Sequence, residues 1–362
     1  MSGAPSVGSP PRPAAGDRQD GSDRAAYRAT LVELAQADPR IWCLDSDMGG
    51  LEKQFEAVLP EQYVDLGIAE ANLMSVGAAL ASTGILPFVN TMAAFASARA
   101  LEQVKIDIAY HRLPVRIVAT HSGLSAGQLG PTHHAQQDLA AMRTLPHMTV
   151  MTPADAAETV QMVRAAAYLP GPVYIRLGRG PTDPVYDGDA GFTVGEAVQL
   201  RTGDDVTIVA AGSHPVLFAL EAADRLAAQG VGATVLNMHT IKPLDVAAVV
   251  RAAERTAGIV TVEDHSLLGG LGGAVAEAVA EHRPTRVLRV GVSDAFASRP
   301  GGHRDQLTAG GVSPDRVVAA AEAVLSGRPL PPADRPDRAG EHDRTVHSHT
   351  VHHSQTVKES AS

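Results

Sequence analysis

Short runs of Val, Ile, Leu and Ala alternate with small-residue and amphipathic segments along most of the chain. In the first half, Ile41 to Leu44, Tyr63 to Asp65, Leu86 to Val89, Val115 to Thr120, Met148 to Met151 and Val173 to Leu177 read as strands. Leu31, Leu34 and Ala35 recur at helical spacing after a start near Arg24. Glu70 to Ser82, Ala94 to Tyr110 and Ala154 to Tyr168 also read as helices. Strands separated by helices of this length need crossover connections, which predicts a mostly parallel sheet covered on both faces.

The alternation pauses in a Pro, Gly and Asp-rich passage, Gly180 to Gly191, and then resumes. Val206 to Ala210, Ala233 to Leu236, Gly258 to Val262 and Val287 to Val290 are the expected strands. Pro215 to Gln229, Leu244 to Ala257, Gly273 to Glu281 and Asp315 to Leu325 are the expected helices. The fold class is therefore α/β, with two open sheets. The expected layout is a disordered segment over 1–22, a first domain over 23–180, a linker over 181–194, a second domain over 195–327 and a disordered, His-rich tail over 328–362.

Composition narrows the function classes. With 362 residues and 44% hydrophobic content, the chain can bury two ordinary cores. A net charge of -10 without a clustered basic face argues against a nucleic-acid surface. The one cysteine, Cys43, lies in an apolar run and reads as a small buried strand residue. No apolar stretch is long enough to span a membrane, so a soluble, cytoplasmic protein is expected. The tail histidines His342, His347, His349, His352 and His353 carry no site, and no residue spacing in the ordered part suggests a metal centre.

Candidate chemistry concentrates between Asp65 and His134. Glu70 follows a short strand and opens a small-residue helix, a position that aims a carboxylate out of a sheet edge. Burial there would raise its pKa and allow it to share a proton near neutral pH; a capping or salt-bridged Glu in a first helical turn is the other reading. Ser122 to Gln137 is a long polar loop directly after a strand, and such loops tend to carry function. Gly269-Gly270-Leu271-Gly272-Gly273 fits no nucleotide fingerprint and reads as a tight turn packing helix on strand.

Six motifs in one order resemble the C-terminal half of a transketolase. They are Gly67-Ile68-Ala69-Glu70, Asn90-Thr91-Met92-Ala93-Ala94-Phe95, Ala119-Thr120-His121-Ser122, Gly130-Pro131-Thr132-His133, Arg143-Thr144-Leu145-Pro146 and Thr152-Pro153-Ala154-Asp155. The resemblance runs from about Arg24 to about Leu325 and implies a pyrimidine-binding domain followed by a transketolase C-terminal domain. It implies thiamine diphosphate with Mg2+ as cofactor and transfer of a two-carbon ketol unit from a ketose, or its phosphate, to an aldose. By the resemblance, Glu70 bonds the cofactor's aminopyrimidine, Phe95 stacks on it, and Met92 and Asp47 complete its surroundings. His133 and His121 act at the substrate, and Arg176 and Arg24 bind a sugar phosphate at the channel mouth.

Departures from the family pattern accompany the match. Met92 replaces a second ring. Leu129 stands where sugar-using members carry an aspartate that reads substrate hydroxyls, and Leu51 stands near a phosphate-contacting serine, so the usual ketose phosphate is in question. Full-length relatives hold the diphosphate through a further domain, marked by Gly-Asp-Gly and a following Asn, which this chain lacks. A separately encoded N-terminal subunit is therefore expected as partner, in a heterotetramer of two of each, with the cofactor between subunits. The competing readings are the beta subunit of a 2-oxo acid dehydrogenase and a non-catalytic subunit that retains the fold.

Overall fold

A computed structural model of the chain describes residues 21–48, 52–186, 188, 191–297 and 301–332. Leu51, the tail histidines and all but Gly21 and Ser22 of the expected N-terminal segment lie outside the described residues. The first half supplies β1 (Ile41–Asp45), β2 (Tyr63–Asp65), β3 (Leu86–Met92), β4 (Arg116–Thr120), β5 (Thr149–Met151) and β6 (Val173–Arg176). They pair in parallel in the order β5-β6-β4-β3-β1-β2. Their apolar residues face helices on both sides, which is why the strands read as continuous hydrophobic runs rather than alternating ones.

The second half supplies β7 (Val198–Arg201), β8 (Val206–Ala211), β9 (Ala233–Asn237), β10 (Thr240–Lys242), β11 (Ile259–Ser266) and β12 (Val287–Val292). Four of these are parallel in the order β12-β11-β8-β9, and β7 closes one edge antiparallel to β9. The remaining strand, β10, leaves this sheet and adds antiparallel to β5 of the first. The two halves are thus joined by backbone pairing as well as by side chains.

The α-helices of the described residues, in chain order, are α1 (Asp23–Ala37), α2 (Glu70–Ser82), α3 (Ala93–Ser97), α4 (Leu101–Gln103), α5 (Asp138–Thr144), α6 (Ala156–Ala167), α7 (Ser213–Ala228), α8 (Val246–Arg255), α9 (Leu271–His282), α10 (His303–Ala309) and α11 (Pro314–Ser326). Ser22, Asp155, Asp245 and Ser313 cap α1, α6, α8 and α11 through side-chain oxygens that accept from a backbone N–H three residues on. Each such cap contributes about 1 kcal/mol. The one long helix expected over Ala94 to Tyr110 is instead broken. At Ala98 the backbone leaves the helical region (φ -121, ψ -61). The N–H of Ala100 bonds the carbonyl of Phe95, a wide turn of the kind that interrupts helices near functional sites. That break sets Arg99 in a turn beside Phe95.

The glycine-rich turn before α9 packs helix on strand, as expected. Backbone N–H groups of Leu271 and Gly272 donate to the buried Glu263 carboxylate at 2.7 and 2.8 Å. A Cβ at Gly270 would lie 2.0 Å from Glu263 Oε2. The helix start is filled by the protein's own carboxyl group, which leaves no cradle for a phosphate. Cys43 is fully buried in β1, in line with the sequence reading.

Candidate active site

The strands of the first sheet end together at Asp45, Asp65, Met92, Thr120 and Arg176, and the loops after them gather the candidate residues on one edge. This is where open parallel sheets place ligands. Gly67, at φ 66, turns β2 into α2 in a backbone region that disfavours a side chain. Glu70 then occupies the first position of α2 and is 2% exposed. Its two carboxylate oxygens accept from Arg99 Nη1 at 2.9 and 2.8 Å. The guanidinium carbon of Arg99 lies 4.3 Å from the centroid of the Phe95 ring. Arg99 thus links the buried carboxylate to the aromatic ring.

His133 joins this group through Phe95. Its ring packs edge-on against Phe95, with centroids 5.4 Å apart, and its Nδ1 is 2.9 Å from Thr132 Oγ1. His121 follows the last residue of β4 at φ 57, is buried, and has Nδ1 2.9 Å from Thr120 Oγ1. Burial, followed by the positive field of Arg24, Arg179, His133 and Arg28, pushes its pKa down to about 3. His121 is therefore neutral at physiological pH, able to accept a hydrogen bond but not to serve as a standing cation. Next to His133, His134 is also biased toward its neutral form by burial, and its Nδ1 is buried without a hydrogen-bond partner among the described residues.

The other expected site residues divide. Met92 is half-buried at the end of β3, immediately before α3 and three residues before Phe95. Leu129 ends a short turn before Gly130 and is 40% exposed, an apolar side chain on the functional loop. Asp47 is exposed at φ 58, and its backbone N–H donates to Asp65 Oδ1 at 3.2 Å. The same oxygen accepts from Gly67 N at 2.8 Å, which couples the Asp47 loop to the turn that presents Glu70. Arg24, half-buried near the start of α1, belongs to the positive group around His121.

Arg176 requires a correction. It is expected at a channel mouth, yet its side chain is 3% exposed and committed to the interior. Nε donates to Asp138 Oδ2 at 2.8 Å, and Nη2 donates to the carbonyl of Asp264 at 2.6 Å. Burial alone would lower its pKa, but Asp138 and Asp264 hold it above the ordinary arginine value. It ties β6 to β11, with its Nε and Nη2 donors spent inside the protein. Arg179, three residues further on, is exposed, donates to the Ala126 carbonyl at 3.2 Å and contributes to the field on His121. The strand ends between these two arginines, and that local change, not residue type, decides which one reaches the site. Arg99 is the second residue missed in the sequence; within an expected continuous helix it reads as a solvated side chain.

These residues fit an aromatic, N–H-bearing cofactor. A buried carboxylate and an aromatic face already hold a planar nitrogen group between them. Beside them a cavity of about 270 Å³ is lined by Phe95, Arg99, Pro131, Thr132, His134 and Phe296. Among the described residues, no group of three or more His, Cys, Asp or Glu side chains is placed to hold a metal. No helix of the described residues is long and apolar enough to cross a membrane.

Comparison with known proteins places both halves. Residues 22–183 match the family profile of the transketolase pyrimidine binding domain, and residues 195–317 match that of the transketolase C-terminal domain. The chain is 44% identical over 275 residues to the 6-deoxy-6-sulfo-D-fructose transketolase subunit of Clostridium sp. strain MSTE9, covering 75% of this chain and 85% of that protein. It is 42% identical over 274 residues to an apulose-4-phosphate transketolase subunit of Phocaeicola vulgatus, covering 75% and 87%. Among solved structures it is similar to a split gene transketolase described as an inactive beta4 tetramer. That match has 44% identity and a TM-score of 0.79, and covers 84% of this chain and 98% of the other.

Proposed function

From the premise that the chain belongs to the transketolase family, whose members depend on thiamine diphosphate, we propose that it is the C-terminal subunit of a split transketolase. In this reading it is active only with a separately encoded N-terminal subunit. The observation that carries the proposal is the buried Glu70 and the Phe95 ring brought to one Arg99 guanidinium at the strand ends, with His133 packed edge-on against Phe95. Bound thiamine diphosphate supplies a heterocycle able to accept a two-carbon ketol unit and release it to an aldose. The remaining work belongs to residues of this chain. Glu70 would hold a proton at the aminopyrimidine nitrogen. Phe95 would bind the ring face, with Met92 as a softer neighbour.

The neutral His121 would exchange hydrogen bonds with the substrate's carbonyl and hydroxyl oxygens, and His133 would exchange hydrogen bonds or a proton with them. Arg24 and Arg179 would orient an anionic substrate from the same side, where a guanidinium fork suits a phosphate or similar group. Asp47 would brace the loop toward the partner. The diphosphate and Mg2+ would be held mainly by the partner subunit, in an assembly of two copies of each chain. That the similar split-gene structure is an inactive tetramer of its beta chain alone supports this division of labour.

The apolar Leu129 favours a less hydroxylated or otherwise specialised donor or acceptor, because a site lacking the polar partner gains little from a further hydroxyl. Mixing the two purified subunits and assaying a donor series tests both points. Ketol transfer is expected in the mixture and absent from either subunit alone. Leu129→Asp is expected to raise kcat/KM for a fully hydroxylated ketose phosphate about tenfold or more relative to the less hydroxylated donor. Decarboxylation of a 2-oxo acid without ketol transfer would overturn the assignment, and equal donor preference in wild type and Leu129→Asp would overturn the substrate argument.

A further inference from the structure

Arg99 makes both contacts that the preceding reading gives to the cofactor's aminopyrimidine. One of its nitrogens donates to both oxygens of Glu70, and its guanidinium carbon lies over the Phe95 ring. Two planar groups cannot share that place. From this coincidence we infer that Arg99 is a placeholder in the cofactor site, occupying it in the cofactor-free subunit and leaving it when thiamine diphosphate enters. The inference rests on the reading of Glu70 and Phe95 as cofactor contacts.

The surroundings of the two partners suit this exchange. Glu70 is fixed in the first turn of α2 and is nearly without solvent, so its carboxylate alone would be a buried, uncompensated charge. Arg99 supplies the compensation. Its side chain is 51% exposed and rises from the turn between α3 and α4, four residues after Phe95, so it can swing into solvent without unpacking the core. Flanking Ala98 is exposed as well, while Ala100 anchors the turn inside. A guanidinium is planar, stacks on aromatic faces and forms paired bonds to carboxylates, properties that an ammonium group lacks. The interrupted helix is what permits the geometry: in the unbroken helix expected from the sequence, residue 99 would continue along the helix surface.

Entry of the cofactor then requires loss of the Arg99–Glu70 pair, and the observed affinity is lower than the intrinsic one by the population of the open state. The pair also keeps the lone subunit's carboxylate satisfied until the partner arrives.

The test is a double-mutant cycle read by calorimetric titration of thiamine diphosphate with Mg2+ into the assembled two-subunit complex. Arg99→Ala is expected to bind the cofactor about three- to tenfold more tightly and to lower the melting temperature of the cofactor-free subunit. On a Glu70→Ala background the tightening should vanish, since Arg99 then has no carboxylate to hold it in place. Arg99→Lys should fall between wild type and Arg99→Ala, and it replaces the alanine variant in the cycle if the latter does not assemble. Weaker or unchanged binding in Arg99→Ala, or equal effects in the two backgrounds, would overturn the placeholder. A Glu70→Ala complex with undiminished ketol transfer would instead overturn the underlying assignment of Glu70.

Discussion

Replacing Glu70 with alanine is expected to lower ketol transfer by the assembled complex about a thousandfold while leaving the fold intact. Positioned proton transfer contributes roughly 10²–10⁴ in rate, and Glu70 is the buried carboxylate at the strand ends that faces the proposed ring-binding surface. Its salt-bridge partner is half exposed, so the cation left behind by the substitution can be taken up by water, and little stability is at stake. Glu70→Gln separates binding from proton transfer, because the amide keeps hydrogen-bonding capacity but cannot hold the exchangeable acid proton. It should retain cofactor binding within a few-fold and still lose most turnover. Steady-state rates and melting curves measured on the same preparations check this. Full activity in either variant, or a parallel loss of activity and melting temperature, would mean that Glu70 is a structural salt-bridge residue.

The second large effect lies outside the chemistry. Arg176→Met is expected to destabilise the subunit by about 3–5 kcal/mol, because it strips the counter-charge from a fully buried carboxylate. Asp138 accepts from both Arg176 Nε and the Tyr174 hydroxyl, at 2.8 and 2.9 Å. Arg176 also holds the Asp264 and Ala135 carbonyls, so the loss spreads across the boundary between the two sheets. Asp138→Leu alone should be similarly harmful. The pair Arg176→Met with Asp138→Leu should recover part of the loss, since an apolar pair removes both desolvated charges, while Tyr174 and the two carbonyls remain without their partners. Urea unfolding at fixed protein concentration measures all three. If Arg176→Met keeps wild-type stability and only raises KM for an anionic substrate, Arg176 is a substrate residue after all.

The sequence is most readable where a pattern is local. Runs such as Val115 to Thr120 and Val173 to Leu177 announce buried parallel strands because both faces must be apolar. Glu70, Phe95 and His133 are recognisable because each sits in a motif with a fixed neighbour. What is harder to read depends on distant pairing. Strand β10 is three residues long, and its partner β5 lies about ninety positions earlier, so no local period marks it. Strand β7 is a half-exposed edge with a weak alternation inside a polar passage.

The arginines show the same limit at the level of single side chains. Arg176 and Arg179 are three residues apart on one strand end, and only the end of β6 determines that the first turns inward to Asp138 and the second outward. Arg99 depends on a helix interruption within a run of good helix formers, where propensity argues for continuity and tertiary packing wins.

If the chain holds half of a cofactor site, the cofactor should need both halves to bind. Calorimetric titration of thiamine diphosphate with Mg2+ into this subunit alone, and then into its mixture with the N-terminal subunit, tests this most directly. Binding is expected only in the mixture. Tight binding to this subunit by itself would contradict the division of the site.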